Sequence, residues 1–443
     1  MTMNAIFPKR RHTVKKVTNR AFSVLLLILL VVGGMSAYLV NFLNSGSEWA
    51  LAFYRANSGS TGTIADRNGT VLASFSPTGS FYSENTDIRK ACFHIIGDYE
   101  GRTGGGIIAA ISDDIKDYDI FTGTTHAEDH SFQLTLDSRL NVSAYKAMGS
   151  YKGCVLVCNY LTGEMLCILS TPTIDPLETV EDPEPGTYIN KALSGAFVPG
   201  SVFKLVTSAA AIEDVPGIFE KSFWCENEYY IAGVEITCMG PHYTTDFYSA
   251  LSNSCNCAFA DISVRVGQES LKRHTKEYGF LDTHSLSGLT TAAGNFETEY
   301  MGDPELAWAG IGQWTDLVCP YSMLRFVAAL ANDGILVEPY LFNGTETESV
   351  RLVEEGTAKT LQDMMAFNVV DHYGTDNFPG LNLCAKTGTA EVGDGTNNAW
   401  FAGFLDDNSH PYAFVVLVED GGYGISSAGG VANMVLQDAI ALN

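Results

Sequence analysis

The chain has 443 residues, 46% of them hydrophobic and 17% charged, with 43 Gly and 14 Pro. That is room for two to three domains of ~100–200 residues, and the balance excludes a disordered, collagen-like or coiled-coil chain. The net charge of −25 is uneven, since six cations and no acid fall in the first 20 residues, leaving 20 of the 26 basic groups against all 51 acids. So acidic a body has no Lys/Arg footprint for phosphates, and no nucleic-acid role is expected.

In chain order, Ala21 to Leu43 (AFSVLLLILLVVGGMSAYLVNFL) is an uncharged run of 23 residues. At a rise of ~1.5 Å per residue it can cross a hydrocarbon layer of ~30 Å. Lys9, Arg10, Arg11, Lys15, Lys16 and Arg20 precede it, so the positive-inside rule places residues 1–20 in the cytoplasm and the chain after Asn44 outside. The alternative is a cleaved signal peptide, for which Met35-Ser36-Ala37 is a poor site because the apolar run continues past it.

Residues 58–74 (SGSTGTIADRNGTVLAS) alternate around Asn68-Gly69, a strong hairpin signal. The stretch to Ser131 is rich in Gly, Asp and Thr and reads as irregular, so 44–131 is expected to be a small extracytoplasmic region. His126 and His130 are four apart but lack a third ligand, and Gly104-Gly105-Gly106 lacks a strand-to-helix context. Neither a metal nor a nucleotide is inferred from them.

From Phe132 the pattern tightens. Phe132–Leu136 reads as a strand, Asp137 as the cap of a helix Ser138–Met148, and Gly153–Asn159 and Met165–Ser170 as strands split by Thr162-Gly163. Residues 173–186, with five acids and three prolines, read as a surface loop. Helices are expected from Pro199 to Ala211 and over Tyr248–Val266, Pro320–Asn332 and Thr357–Asn368. The last quarter reads as three strands, Leu383–Thr387, Asn398–Phe404 and Ala413–Val418, and a closing helix Val431–Ala441. Strands, a helical insert and strands again predict one large α+β domain over 132–443, without internal repeats.

Ten cysteines lie mostly in apolar runs (Cys154, Cys158, Cys167, Cys319, Cys384) and read as small hydrophobes. Cys225 and Cys238 flank a polar stretch, WCENEYYIAGVEITC, that reads as a hairpin. A bridge between them and two free thiols are the alternatives. No pair has CxxC spacing, so no metal is expected.

Three short patterns carry chemistry. In Ser201-Val202-Phe203-Lys204, positions i and i+3 of a helix share a face, so Lys204 can reach the Ser201 hydroxyl. Burial can lower a lysine from its reference pKa of ~10.4 until the neutral amine serves as base. Pro199 and Gly200 set Ser201 in a first helical turn, where free N–H groups favour a developing anion. In Ser254-Cys255-Asn256, a hydroxyl and an amide two residues apart can both enter a cleft. Ser254 then relays a proton, and Asn256 contacts a substrate carbonyl or fixes Lys204. Lys386-Thr387-Gly388-Thr389 lies on an apolar strand and suits an extended peptide ending in a carboxylate. Gly388 would admit the ligand, while Lys386, Thr387 and Thr389 meet its charge. Each alone has an ordinary reading, as surface helix, helix cap or turn. No G-x-S-x-G elbow occurs, excluding an α/β-hydrolase.

The order SxxK, SxN, KTG resembles the penicillin-binding transpeptidases. GTIADRNGTVLA at 62–73, KGCVLVCNYLTGEMLCILSTPTIDP at 152–176, NKALSGAFVPGSVFKLVTSAAAIE at 190–213 and CAKTGTAEVGDGTNNAWFAGF at 384–404 extend the likeness. It is similar to the short, class B, monofunctional type. The resemblance implies a penicillin-binding, serine β-lactamase-like fold, in which an antiparallel sheet is flanked by helices and a helical insert follows one transmembrane helix and a small N-terminal region. It implies that Ser201 is the acylated nucleophile, Lys204 its base, Ser254 the proton carrier to the leaving amine and Asn256 a substrate-orienting group. Lys386, Thr387 and Thr389 would hold the terminal carboxylate, with the oxyanion between the N–H groups of Ser201 and Thr389.

The implied reaction removes the terminal D-Ala of a D-Ala-D-Ala stem peptide, and an amine on a neighbouring strand resolves the acyl-enzyme. β-Lactams would trap Ser201, no cofactor is needed, and a membrane glycan polymerase of the elongation or division machinery is the implied partner. The alternatives are a D,D-carboxypeptidase or β-lactamase-type hydrolase and a non-catalytic β-lactam-binding scaffold. Two departures stand out: His242-Tyr243, where the family often has glycine after the His, and Trp314 after Gly312-Gln313.

Overall fold

The computed structural model describes residues 9–44, 61–76, 79–111, 118–119, 124–125, 129–297, 299, 301–393 and 395–442. They fall into two compact units, one of residues 1–58 with 118–125 and one of residues 59–117 with 126–443.

The first unit contains helix α1 (Lys9–Asn44). Its apolar stretch Lys16–Val40 has a mean hydropathy of 2.5 and is long enough to span a bilayer. The side chains of residues 16–40 are exposed, and for the uncharged stretch after Arg20 lipid is the natural solvent.

The second unit opens with the expected hairpin, β1 (Thr61–Ala65) and β2 (Val71–Ser76), turning at Gly69, where φ is 82°. β3 (Gly79–Tyr82) extends it. The next stretch is not irregular throughout, because Thr86–Ile96 forms helix α2, capped by the Asn85 side chain on the N–H groups of Asp87 and Ile88. Arg89 on α2 holds Asp175 of the acidic loop through two hydrogen bonds, of 2.8 and 2.5 Å. β4 (Asp129–Gln133) pairs in parallel with β1, slightly earlier than the strand read at Phe132–Leu136. His126 of the rejected histidine pair lies outside the described residues.

Asp137 caps α3 (Ser138–Met148) as expected. The buried Asp66 carboxylate accepts from both the N–H and the hydroxyl of Ser138, tying the first hairpin to that helix end, where the dipole favours an anion.

β5 (Lys152–Asn159) and β6 (Met165–Thr171) follow, then a 3-10 turn Gly200–Phe203 running into α4 (Lys204–Asp214). A small insert has strands β7 (Phe223–Cys225), β8 (Glu228–Ile231), β9 (Val234–Thr237) and β10 (Tyr243–Thr245). β8 and β9 form the hairpin read from the sequence, turning at Ala232 and Gly233, both with positive φ. The helix expected over 248–266 is two, α5 (Phe247–Ser252) and α6 (Asn256–Val266), broken at Ser254, where φ is 51°. α7 (Gln268–Glu277) and α8 (Asp303–Gly310) complete the insert.

The closing elements are α9 (Pro320–Ala331), α10 (Glu355–Asn368), β11 (Leu383–Glu391), β12 (Asn397–Leu405), β13 (Tyr412–Glu419) and α11 (Gly430–Ala441). The five-stranded sheet runs β11-β12-β13-β5-β6, antiparallel throughout. α3 and α11 cover one face with Leu140, Met148, Val435 and Leu436. α9 packs on the other; it is buried from Pro320 to Leu330, and the one charge it carries there, Arg325, is paired with Glu338. Strands first and last in the chain thus pair at the sheet centre, leaving β11 as an edge beside α4 and the insert.

Candidate active site

The three motifs converge at the β11 edge. Gly200 adopts φ 54°, and a Cβ there would lie 2.6 Å from the Thr389 carbonyl oxygen. Only glycine allows the turn bearing Ser201 to lie this close to β11. The Gly200 N–H donates to the Gly312 carbonyl at 2.8 Å, and the Trp400 indole donates to the Val198 carbonyl at 2.9 Å. The Ser201 turn is therefore held by the strand, by a neighbouring loop and by a buried ring.

Lys204, the first residue of α4, is wholly buried. Its Nζ lies 3.1 Å from Ser201 Oγ, 2.6 Å from the Ser254 carbonyl oxygen, 3.2 Å from Ser254 Oγ and 2.8 Å from Asn256 Oδ1. None of these partners is a carboxylate, and desolvation outweighs the opposing pull of the nearby Cys255, Cys238 and Cys257 sulfurs, lowering its pKa to about 8. A substantial neutral fraction, able to accept a proton from Ser201, therefore exists near neutrality.

Ser254 reaches the site because the break between α5 and α6 takes left-handed backbone, which a non-glycine residue adopts only under constraint. Its hydroxyl also receives a 3.0 Å hydrogen bond from Lys386 Nζ, which donates to the Thr387 carbonyl as well. Lys386 is buried too, and desolvation followed by repulsion from Lys204 drives its pKa well below the usual lysine value. Asn256 Nδ2 donates to the Thr237 carbonyl at 2.9 Å, leaving its oxygen for Lys204.

On β11 the N–H of Thr387 donates to the Tyr373 hydroxyl at 3.0 Å instead of to β12. Thr389, two residues on, presents its N–H to the same open edge by strand alternation. The Thr387 hydroxyl is 3.2 Å from Tyr373 Oη, and that of Thr389 accepts from Gly424 N–H at 3.3 Å. The expectation for Gly388 needs correction: the space a Cβ would fill there belongs to the Pro199 carbonyl, at 2.8 Å, and to Val202. Its lack of a side chain seats the Ser201 turn on the strand; it does not open room for a ligand.

Sequence reasoning missed Tyr373, whose tyrosine-and-histidine neighbourhood carries no motif. It also missed that Cys225, Cys238, His242 and Cys255 come together beside the SxN segment. Cys225 and Cys238 are free thiols. Tyr243 takes φ 54°, which explains why glycine would suit that position. Trp314 is 54% exposed, on the loop that holds Gly200 through Gly312.

A buried neutral-capable amine on a hydroxyl, a second hydroxyl shared by two lysines and the open edge N–H of Thr389 form an arrangement able to carry out nucleophilic acyl transfer. Comparison with known proteins gives the family. The family model described as the penicillin binding protein transpeptidase domain matches residues 153–437. A curated relative, peptidoglycan D,D-transpeptidase PbpA of Mycolicibacterium smegmatis, is 27% identical over 408 residues, covering 80% of this chain and 79% of the relative. Stage V sporulation protein D of Bacillus subtilis is 27% identical over 290 residues, 59% of this chain and 45% of that protein. Among solved structures, the ceftriaxone acyl-enzyme complex of penicillin-binding protein A from M. tuberculosis superposes with a TM-score of 0.77 at 23% identity, over 88% of this chain and 100% of that one. The D,D-transpeptidase domain of a peptidoglycan glycosyltransferase from Eggerthella lenta gives 0.75 at 24% identity, over 87% and 99%.

Proposed function

The chain belongs to the penicillin-binding protein transpeptidase family, and on that premise we propose that it is a membrane-anchored class B peptidoglycan D,D-transpeptidase acting through a Ser201 acyl-enzyme. The observation that carries this reading is the 3.1 Å contact of a fully buried Lys204 with Ser201 Oγ.

Neutral Lys204 takes the Ser201 proton as Oγ attacks the carbonyl of the penultimate D-Ala. The tetrahedral oxyanion lies against the N–H groups of Ser201 and Thr389. Lys204 returns the proton through Ser254, which it touches at 3.2 Å, to the departing amine of the terminal D-Ala. Lys386, Thr387 and Thr389 hold the carboxylate of that residue along β11, and Asn256 fixes Lys204 and the substrate amide. An acceptor amine then enters, loses its proton along the same path and takes the acyl group, freeing Ser201. A β-lactam presents the same acyl and carboxylate groups, but its leaving nitrogen stays tethered and obstructs the acceptor.

Residues 132–443 form the catalytic domain in this reading, and 44–131 a small extracytoplasmic region. The six cations on the N-terminal side of the apolar stretch of α1 favour a cytoplasmic position for residues 1–20, and in this reading the site lies on the wall side, where D-Ala-D-Ala peptides and a membrane glycan polymerase would meet it. Turnover of a stem-peptide thioester with an added D-amino acid tests the assignment. Amide product is expected, absent with Ser201→Ala. Hydrolysis alone would indicate a carboxypeptidase, and no turnover a scaffold.

A further inference from the structure

We propose that Cys225, Cys238, His242 and Cys255 bind one zinc ion that fastens the SxN segment to the polar insert. The ligands arrive from three elements. Cys225 ends β7, and pairing of β7 with β10 sets it opposite Tyr243, so that the His242 N–H donates to the Cys225 carbonyl at 3.1 Å. Cys238 follows β9, its N–H bound to the Asn227 carbonyl at 2.8 Å. Cys255 is the N-cap of α6 and stands between Ser254 and Asn256. All four ligand atoms lie within 4.8 Å of one another, and Cys225 and Cys255 are buried.

The distances suit zinc. Zn–S of ~2.3 Å and Zn–N of ~2.0–2.1 Å in a tetrahedron require S···N edges of about 3.5 Å. His242 Nδ1 is 3.6 Å from Cys225 Sγ and 3.5 Å from Cys238 Sγ. One ring nitrogen cannot serve two thiols equally by hydrogen bonding, whereas a cation placed among them satisfies all three atoms. Backbone N–H groups already point at two of the sulfurs. The N–H of Asn256 donates to Cys238 Sγ and that of Ala258 to Cys255 Sγ, each at 3.4 Å, both from the first turn of an 11-residue helix, whose dipole favours negative charge. Cys257 stays outside the set, donating to the Ile236 carbonyl at 3.9 Å.

Binding releases the thiol protons to solvent and changes no oxidation state. The ligand set is closed, three sulfurs and one nitrogen, so the ion is structural and takes no part in acyl transfer. Its effect passes through Cys255, which fixes Ser254 in its left-handed backbone and aims Asn256 at Lys204. It also keeps Cys225 and Cys238 from oxidising to a disulfide outside the cell.

The test is metal analysis of the full-length chain purified in detergent under reducing conditions without chelator. About one zinc per chain is expected, as a four-ligand structural site holds a single ion. Cys225→Ser and His242→Ala should bring it to background, while Cys384→Ser, a buried thiol elsewhere, should not. Chelated wild type reloaded with Co2+ should show the near-ultraviolet thiolate charge-transfer band and strong visible bands of tetrahedral cobalt, a readout independent of how the variants fold. Chelation should slow penicillin acylation by ~10–100-fold, the usual size of an effect passed on from around a site. That last readout rests on the transpeptidase reading; metal content and the cobalt spectrum do not. Background zinc with no cobalt band in the reduced wild type, or zinc unchanged in both ligand variants, would overturn the site.

Discussion

Lys204 and Lys386 meet on one hydroxyl: Ser254 Oγ lies 3.2 Å from the first ammonium nitrogen and 3.0 Å from the second. Two buried amines so placed repel each other's charge, and burial opposes both. The pair therefore holds fewer protons than two lysines in water, with Ser254 between them as the only hydroxyl they share among their hydrogen-bond partners. A proton leaving Ser201 has a short path by way of Lys204 to this hydroxyl, and from there to a leaving amine.

The first prediction concerns pH. The base form of Lys204 is the neutral one, and its pKa is lowered to about 8. Acylation by penicillin should thus rise with pH through the neutral range and level off above about 8, instead of near the ~10.4 of a free lysine. The second-order labelling rate, measured in overlapping buffers, checks it; a flat profile would show that Lys204 is not the titrating base.

Ser254→Ala leaves Ser201 and Lys204 in contact but removes the bridge to Lys386. The acylation rate should fall by ~100- to 10,000-fold, the range of a lost proton-transfer group, with thermal stability little changed. Stopped-flow labelling and a melting curve separate the two quantities.

Gly200→Ala places a methyl 2.6 Å from the Thr389 carbonyl, at a backbone with φ 54°. Ser201 should be driven from the β11 edge, with a loss of ~100–1,000-fold in acylation, as for one oxyanion donor. Gly344, also at positive φ but with open space around its Cβ position, provides the control: alanine there should leave labelling intact.

Tyr373→Phe removes the acceptor of the Thr387 N–H. The donor is only partly buried, so leaving it unmet costs toward the low end of about 1–3 kcal/mol, and the melting temperature should drop slightly. KM for the thioester should rise more than kcat falls, because the strand that docks substrate is loosened while Ser201 and Lys204 stay in place.

The legibility of this site follows from the range of its interactions. SxxK is local, two positions on one helical face, and the KTG strand is an apolar run, so both could be read directly. So could the Asp137 cap and the Asn68-Gly69 turn, each fixed within a few residues. The break at Ser254 could not, because neither glycine nor proline marks it: contacts with Lys204 and Lys386 impose its backbone from outside. α2 was hidden by a weakly periodic, polar first turn, although Asn85 was available as its cap. Tyr373 acts through a single hydroxyl across strands, and the cysteine-histidine cluster is assembled by the pairing of β7 with β10. Gly388 was legible as a necessary glycine, but which neighbour required it depended on packing.

The central claim is that Ser201 is the acylated residue and Lys204 its base. Labelling of the full-length protein with fluorescent penicillin, with peptide mapping and a chase, tests it most directly. The account predicts a long-lived adduct on the peptide containing Ser201, absent in Ser201→Ala and in Lys204→Ala. An adduct mapped to another residue, or label of undiminished strength in Ser201→Ala, would contradict it.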